Sequence, residues 1–143
     1  MDNRQEELSK YRIQESKNSL KVAEHCLNEG LYKDSINRSY YAAFYAIKAV
    51  LALGTIDFKR HKDVVAYFNK EYVATNEFPR ELGRRLGMLK QLREKSDYDD
   101  FYIASKEQAE EQYHTAEYTI ENVEQYLNCL LYTSDAADDR ISV

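Results

Sequence analysis

YKDSINRSYYAAFYAIKAVLAL, residues 32–53, carries the pattern on which the fold turns. Ile36, Tyr40, Ala43, Ile47 and Val50 recur at alternating steps of four and three, which puts them on one face of an α-helix. Ala42, Ala43, Ala46 and Ala49 are small enough to let a neighbouring helix come close. The longest apolar run, Tyr40 to Leu53, is interrupted by Lys48 and is too short to span a bilayer. The segment therefore reads as the most buried helix of an all-helical protein, closed by Gly54.

Working outward, Glu6 to Glu29 is a helix that ends at Gly30, where a left-handed C-cap fits. Leu8, Tyr11, Leu20, Ala23 and Leu27 give it an imperfect apolar stripe. After a connection at Thr55–Arg60, a shorter helix runs from His61 to Val73, with Val64, Val65, Phe68 and Tyr72 inward. Thr75–Pro79 breaks the pattern, and Pro79 suits the first turn of the next helix. That helix carries Leu82, Leu86 and Leu89, and the following step of the stripe lands on Arg93. From Ala104 a long helix has the most regular seam of all: Ala109, Tyr113, Ala116, Ile120, Val123, Leu127 and Leu130. The fold class expected is all-α, an antiparallel up-and-down helical bundle of four main helices plus a shorter one.

One domain covers residues 1–128. The stretch 129–143 loses the seam, and its CLLYTSDAADD resembles translated sequencing-adapter DNA. It reads as a non-native or disordered tail.

Composition narrows the function classes. Hydrophobic residues make up 43% and charged residues 31% of the 143, so the chain can build a core. Four Gly and one Pro are too few for the turns of a many-stranded sandwich or barrel. Cys26 and Cys129 form neither a disulfide framework nor a paired metal-ligand spacing. A net charge of −5 argues against a protein that coats nucleic acid over its whole surface. The N-terminus is charged from Asp2 and has no signal-peptide core, so the cytoplasm is the simplest compartment and no membrane is expected.

Several chemistries fail on spacing. A carboxylate-bridged iron bundle needs Glu-x-x-His on two helices, and Glu111–His114 is alone. His25 and Cys26 are adjacent on one helix, so their side chains diverge and cannot act as a nucleophile–base pair. Gly83 and Gly87 lie inside a helix without a phosphate-loop pattern, and close packing is their expected role.

Pro79–Lys95 is the informative segment. It holds Arg80, Arg84, Arg85, Lys90, Arg93 and Lys95 against Glu81 and Glu94, with Lys59, Arg60 and Lys62 as a second basic cluster. The long helix answers with Glu107, Glu110, Glu111, Glu117, Glu121 and Glu124. The basic face is either an ordinary solvated surface or an anion-focusing one. Arg93 is different, because a guanidinium on an inner stripe must be paired or line a cavity. Asp97, one turn later, can pair it; a polar pocket for a phosphate-bearing ligand is the other reading.

Three stretches together carry a resemblance. DSINRSYYAAFYAIKAVLAL (34–53), RHKDVVAYFNKEYV (60–73) and LREKSDYDDF (92–101) resemble, in that order, motifs of the prokaryotic HEPN superfamily. The resemblance covers about residues 5–128. It implies an up-and-down helical bundle that dimerises, often paired with a minimal nucleotidyltransferase in a toxin–antitoxin system. Ribonuclease members carry Arg, then four to six residues, then His; Arg93 matches the Arg, and Tyr98 stands where the His of the four-residue spacing would be. A phenol that titrates near about 10 is a poor general base at neutral pH compared with imidazole. His61 matches a family His in the turn before the third helix, although a helix-start role suits it better.

The expectation is therefore a nucleotide- or RNA-binding HEPN module without strong ribonuclease activity, partnered by a minimal nucleotidyltransferase and by a second copy of itself. The implied binding residues are Asn37, Arg38, His61, Arg93, Asp97 and Tyr98. Arg93 and Tyr98 are the catalytic candidates, and no metal or cofactor is implied. Two other readings stay open: an endoribonuclease toxin using Arg93 with Tyr98 or His61, and a structural dimerisation module in which Arg93 and Asp97 form an internal ion pair.

Overall fold

The computed structural model describes residues 3–54 and 61–142, with side chains through Leu131 except at 61–63. Its elements are α1 (Asn3–Asn28), α2 (Tyr32–Leu51), α3 (His61–Phe68), α4 (Arg80–Tyr98) and α5 (Lys106–Ser142). Among the described residues there is no strand. The expected all-helical bundle of four main helices and a shorter one is the fold observed. The Thr55–Arg60 connection and the Lys59, Arg60 and Lys62 side chains lie outside the described residues.

Side-chain contacts fix the helix directions. Ser9, Ser16 and Ser35 bond carbonyls of Ala49, Ala42 and Ala23 respectively, so α1 and α2 run antiparallel. Lys17–Glu124 and Glu24–Tyr113 set α5 antiparallel to α1, and Asn37–Asp97 with Tyr40–Arg93 set α4 antiparallel to α2. The order is up, down, up, down, with α2 touching every other helix. Twelve of its residues are buried, including all four alanines named above, as expected of the central helix.

The first helix is organised differently from its expected stripe. Leu8 and Tyr11 face solvent, and the buried residues are Ser9, Ser16, Ala23 and Cys26. Small residues win this face because α1 lies close against α2, and a leucine would hold the backbones apart. The buried hydroxyls of Ser9 and Ser16, and of Ser35 on the facing helix, each donate to a backbone carbonyl across the seam at 2.6–2.8 Å. The turn that follows is a left-handed cap as expected. Gly30 has φ +77°, its N–H donates to the Leu27 carbonyl, and the Leu31 N–H reaches the Cys26 carbonyl at 2.8 Å.

Val64, Val65 and Phe68 of α3 are buried and Tyr72 partly so. The helix does not end at Phe68. It runs on through one π turn at Asn69–Val73, closed by the Ala74 N–H on the Asn69 carbonyl at 2.8 Å. Gly83 of α4 packs against that turn: a Cβ there would come within 2.9 Å of Val73 Cγ1. Gly87 would meet nothing within 4 Å, so the close-packing role holds at Gly83 and not at Gly87. Phe78, inside the segment read as a break, is buried in an aromatic cluster with Phe68, Tyr72 and Tyr126. Pro79 sits just before α4 with extended backbone, one position earlier than expected.

In α5, Ala109, Ala116, Ile120, Val123 and Leu127 are buried, following the expected seam. The helix continues to Ser142, through the stretch read as a tail. No helix among the described residues is long and apolar enough to cross a membrane.

Candidate functional site

The inner stripe of α4 supplies the site. Leu82, Leu86 and Leu89 are fully or nearly fully buried, and Arg93, the next step, is only 8% exposed. Its guanidinium carbon lies 4.7 Å from the centre of the Tyr40 ring on α2. A cation over a buried aromatic face is stabilised by the ring quadrupole, the more so where water is excluded. Arg93 Nη1 donates to Asp97 Oδ2 at 3.1 Å, one helical turn on. Asn37 Nδ2 of α2 approaches both oxygens of the same carboxylate at 3.4 Å, a long contact. Two residues from each helix thus form one constellation across the α2–α4 seam.

Electrostatics follow from this packing. Burial works against the Arg93 charge, but the Asp97 hydrogen bond and the neighbouring groups hold its pKa above the ordinary value. It is a permanent cation. Burial pushes the Tyr40 phenol up to about 12, against the opposing pull of Arg93. Tyr40 is therefore a neutral platform under the guanidinium. The Asp97 side chain keeps about a third of its surface accessible, so the site meets solvent on the carboxylate side.

Of the residues named from sequence, the structure brings Asn37, Arg93 and Asp97 together. Tyr98 is 79% exposed and points away. Five residues along an α-helix amount to about 140° of rotation, whereas the four to Asp97 amount to about 40°. Arg38 is exposed, and its charge is felt at the Cys26 thiol on α1 rather than at Arg93. His61 begins α3, and its side chain lies outside the described residues. The periodic pattern places Tyr40 in the core seam; its aromatic face, under the Arg93 guanidinium of α4, makes it a member of the site as well.

The basic side chains of α4 are largely engaged locally. Arg84 pairs with Glu81, Lys90 lies 3.9 Å from Glu94, and Arg85 sits over the Tyr118 ring at 4.6 Å with Nε on Thr115 Oγ1. His114 bonds Glu117 at 2.8 Å. No group of three or more His, Cys, Asp or Glu side chains is gathered to hold a metal ion among the described residues.

A small helical bundle with one arginine buried on its inner stripe is the class that fold and site define. The family profile of the HEPN domain matches residues 9–126, and the chain belongs to that family. It is 32% identical over 115 residues to a Methanocaldococcus jannaschii protein named "Putative toxin MJ0142", covering 80% of this chain and 78% of the relative. A Thermotoga maritima "UPF0332 protein" is 27% identical over 128 residues, 90% of this chain and 97% of its own. A second M. jannaschii protein, "Putative toxin MJ0605", is 28% identical over 119 residues, covering 83% and 88%.

Proposed function

We propose that this chain is a nucleotide- or RNA-binding HEPN module of a toxin–antitoxin-type pair, working in the cytoplasm as a homodimer beside a minimal nucleotidyltransferase, without strong ribonuclease activity. The unit that acts is residues 1–128. One observation carries the reading: a permanent guanidinium, held by Asp97 and Tyr40 at the edge of the bundle, has a solvent-facing phenol five residues on in place of an imidazole. Arg93 and Asn37 offer donors suited to phosphate or ribose oxygens. Nothing in that pair takes up a proton near neutral pH.

The toxin names of two relatives favour a second reading, an endoribonuclease acting through Arg93. An RNA-cleavage assay in EDTA, with wild type beside Arg93→Ala and binding followed on the same RNA, separates them. The binding reading expects no cleavage by either protein and weaker binding by the variant. Cleavage by the wild type alone would replace it with the ribonuclease. Unchanged binding by the variant would leave Arg93 a structural residue.

A further inference from the structure

Helices α1 and α5 lie side by side without closing the seam between them. On α1 the partly buried Ile13 and Leu20 stand seven residues apart, and on α5 the buried Ile120 and Leu127 do so in the opposite direction. Each facing pair floors a hollow. Ile13 with Leu127 underlies one of about 190 Å³, and Leu20 with Ile120 one of about 340 Å³. Seven helical residues rise about 10 Å, so the hollows follow one another along the bundle at that spacing. Between them Lys17 and Glu124 meet at 2.9 Å, crossing the groove from wall to wall. Both side chains are exposed, and an exposed pair contributes little, so the bridge opens cheaply.

The two walls carry opposite charges. Lys10, Lys17 and Lys21 stand on the α1 side and Glu117, Glu121 and Glu124 on the α5 side, with Glu6 the exception at the outer end of α1. An apolar floor with hollows one heptad apart is what two antiparallel helices offer to a third, whose large side chains recur at i and i+7. The walls then specify its flanks, carboxylates towards α1 and cations towards α5. A phosphate backbone or an anionic lipid surface would meet the three carboxylates of the α5 wall. A second copy of the chain lacks the ridge: among the described residues, no two exposed large apolar side chains lie seven apart on one helix.

We propose that the α1–α5 groove is the docking site for an amphipathic helix of a partner protein, with apolar side chains seven residues apart, acids on one flank and bases on the other. The groove is built on α1 and α5 whereas Arg93 belongs to α4, and the proposal stands whatever Arg93 binds.

Anisotropy titrations of the full chain with two labelled helical peptides, each about two heptads long, test it. Both carry leucines at heptad spacing; one has Glu on one flank and Lys on the other, and the second has Lys on both. The mixed peptide should bind the wild type about tenfold more tightly. Lys10→Glu with Lys21→Glu, at exposed positions, turns the α1 wall acidic around Lys17. With unchanged helical circular dichroism, this variant should prefer the Lys-flanked peptide. No binding of the mixed peptide to the wild type at millimolar concentration overturns the proposal. So does equal binding of the two peptides, or a preference that the variant keeps. A wild-type dimer in sedimentation that the variant loses would make the groove a contact between copies, which overturns it too.

Discussion

The Arg93 guanidinium rests on the face of the Tyr40 ring, 4.7 Å from its centre, and the same group reaches Asp97 at 3.1 Å. Its charge and its stem therefore contribute separately. Arg93→Ala should lose both and cost about 2–3 kcal/mol, from a charge-assisted hydrogen bond and buried methylenes. Arg93→Met keeps the stem and should recover about 1 kcal/mol of that loss, because the buried methylenes stay packed on Tyr40 while the partly exposed Asp97 carboxylate is hydrated without its partner. Urea unfolding of the two variants checks this. Equal losses would mean that the stem contributes nothing.

Alkali should weaken the fold through Tyr40. Its phenol is pushed up to about 12 in the folded chain, against about 10 when unfolded. The folded state thus holds the proton more tightly. The contribution is complete below about pH 10, falls away as pH rises towards 12, and amounts to about 2–3 kcal/mol. Tyr72, Tyr102 and Tyr126 are raised by burial as well, so wild type alone does not isolate the effect. Tyr40→Phe keeps the ring under Arg93 and should show a flatter loss of stability between pH 10 and 12. An unchanged alkaline slope would contradict the assignment.

The two glycines of α4 should respond to alanine with opposite signs. Gly83→Ala drives a Cβ to 2.9 Å from Val73 Cγ1, and the strain should outweigh the helix gain by about 1 kcal/mol. Gly87→Ala meets nothing within 4 Å and should stabilise by about 0.5–1 kcal/mol. Thermal melts would place the two variants a few degrees either side of wild type. A stable Gly83→Ala would mean that the π turn yields easily.

The α1–α2 seam should tolerate loss better than gain. Ser16→Ala removes one buried hydrogen bond, 2.6 Å to the Ala42 carbonyl, at about 1 kcal/mol. Ala42→Leu forces bulk between close backbones and should cost about 3 kcal/mol. Denaturant midpoints for the two variants give the order, and the reverse order would show that the helices can separate cheaply.

Where apolar periodicity does the packing, the fold was legible in the sequence. The seam of α2 runs through its helix and that of α5 from Ala109 to Leu127, and Arg93 stands out as the misfit on a leucine stripe. Asp97 followed from its place one turn later. Legibility failed where other physics takes over. On α1, backbone proximity selects serine and alanine, so reading the apolar residues put Leu8 and Tyr11 on the wrong side. The π turn leaves no periodic signature in five residues, and Phe78 sits in an irregular turn where no period applies. Tyr98 was grouped with Arg93 by motif, although helical rotation separates them. Tyr40 joins the site only through tertiary packing against Arg93, which one helix cannot show.

The serines and alanines between α1 and α2 also act as a vernier. Ser9, Ser16 and Ala23 step by seven along α1 and meet Ala49, Ala42 and Ser35 stepping by seven the other way. Sliding one helix by a single turn would bring Arg12 and its neighbours against the alanines, and only a full seven-residue shift, about 10 Å, would match small to small again. Such a shift strands one tooth at the end of the comb and stretches the short turn at Gly30. The hairpin therefore has one notch. Asn37 and Tyr40, mounted on α2, sit at one fixed height relative to α1.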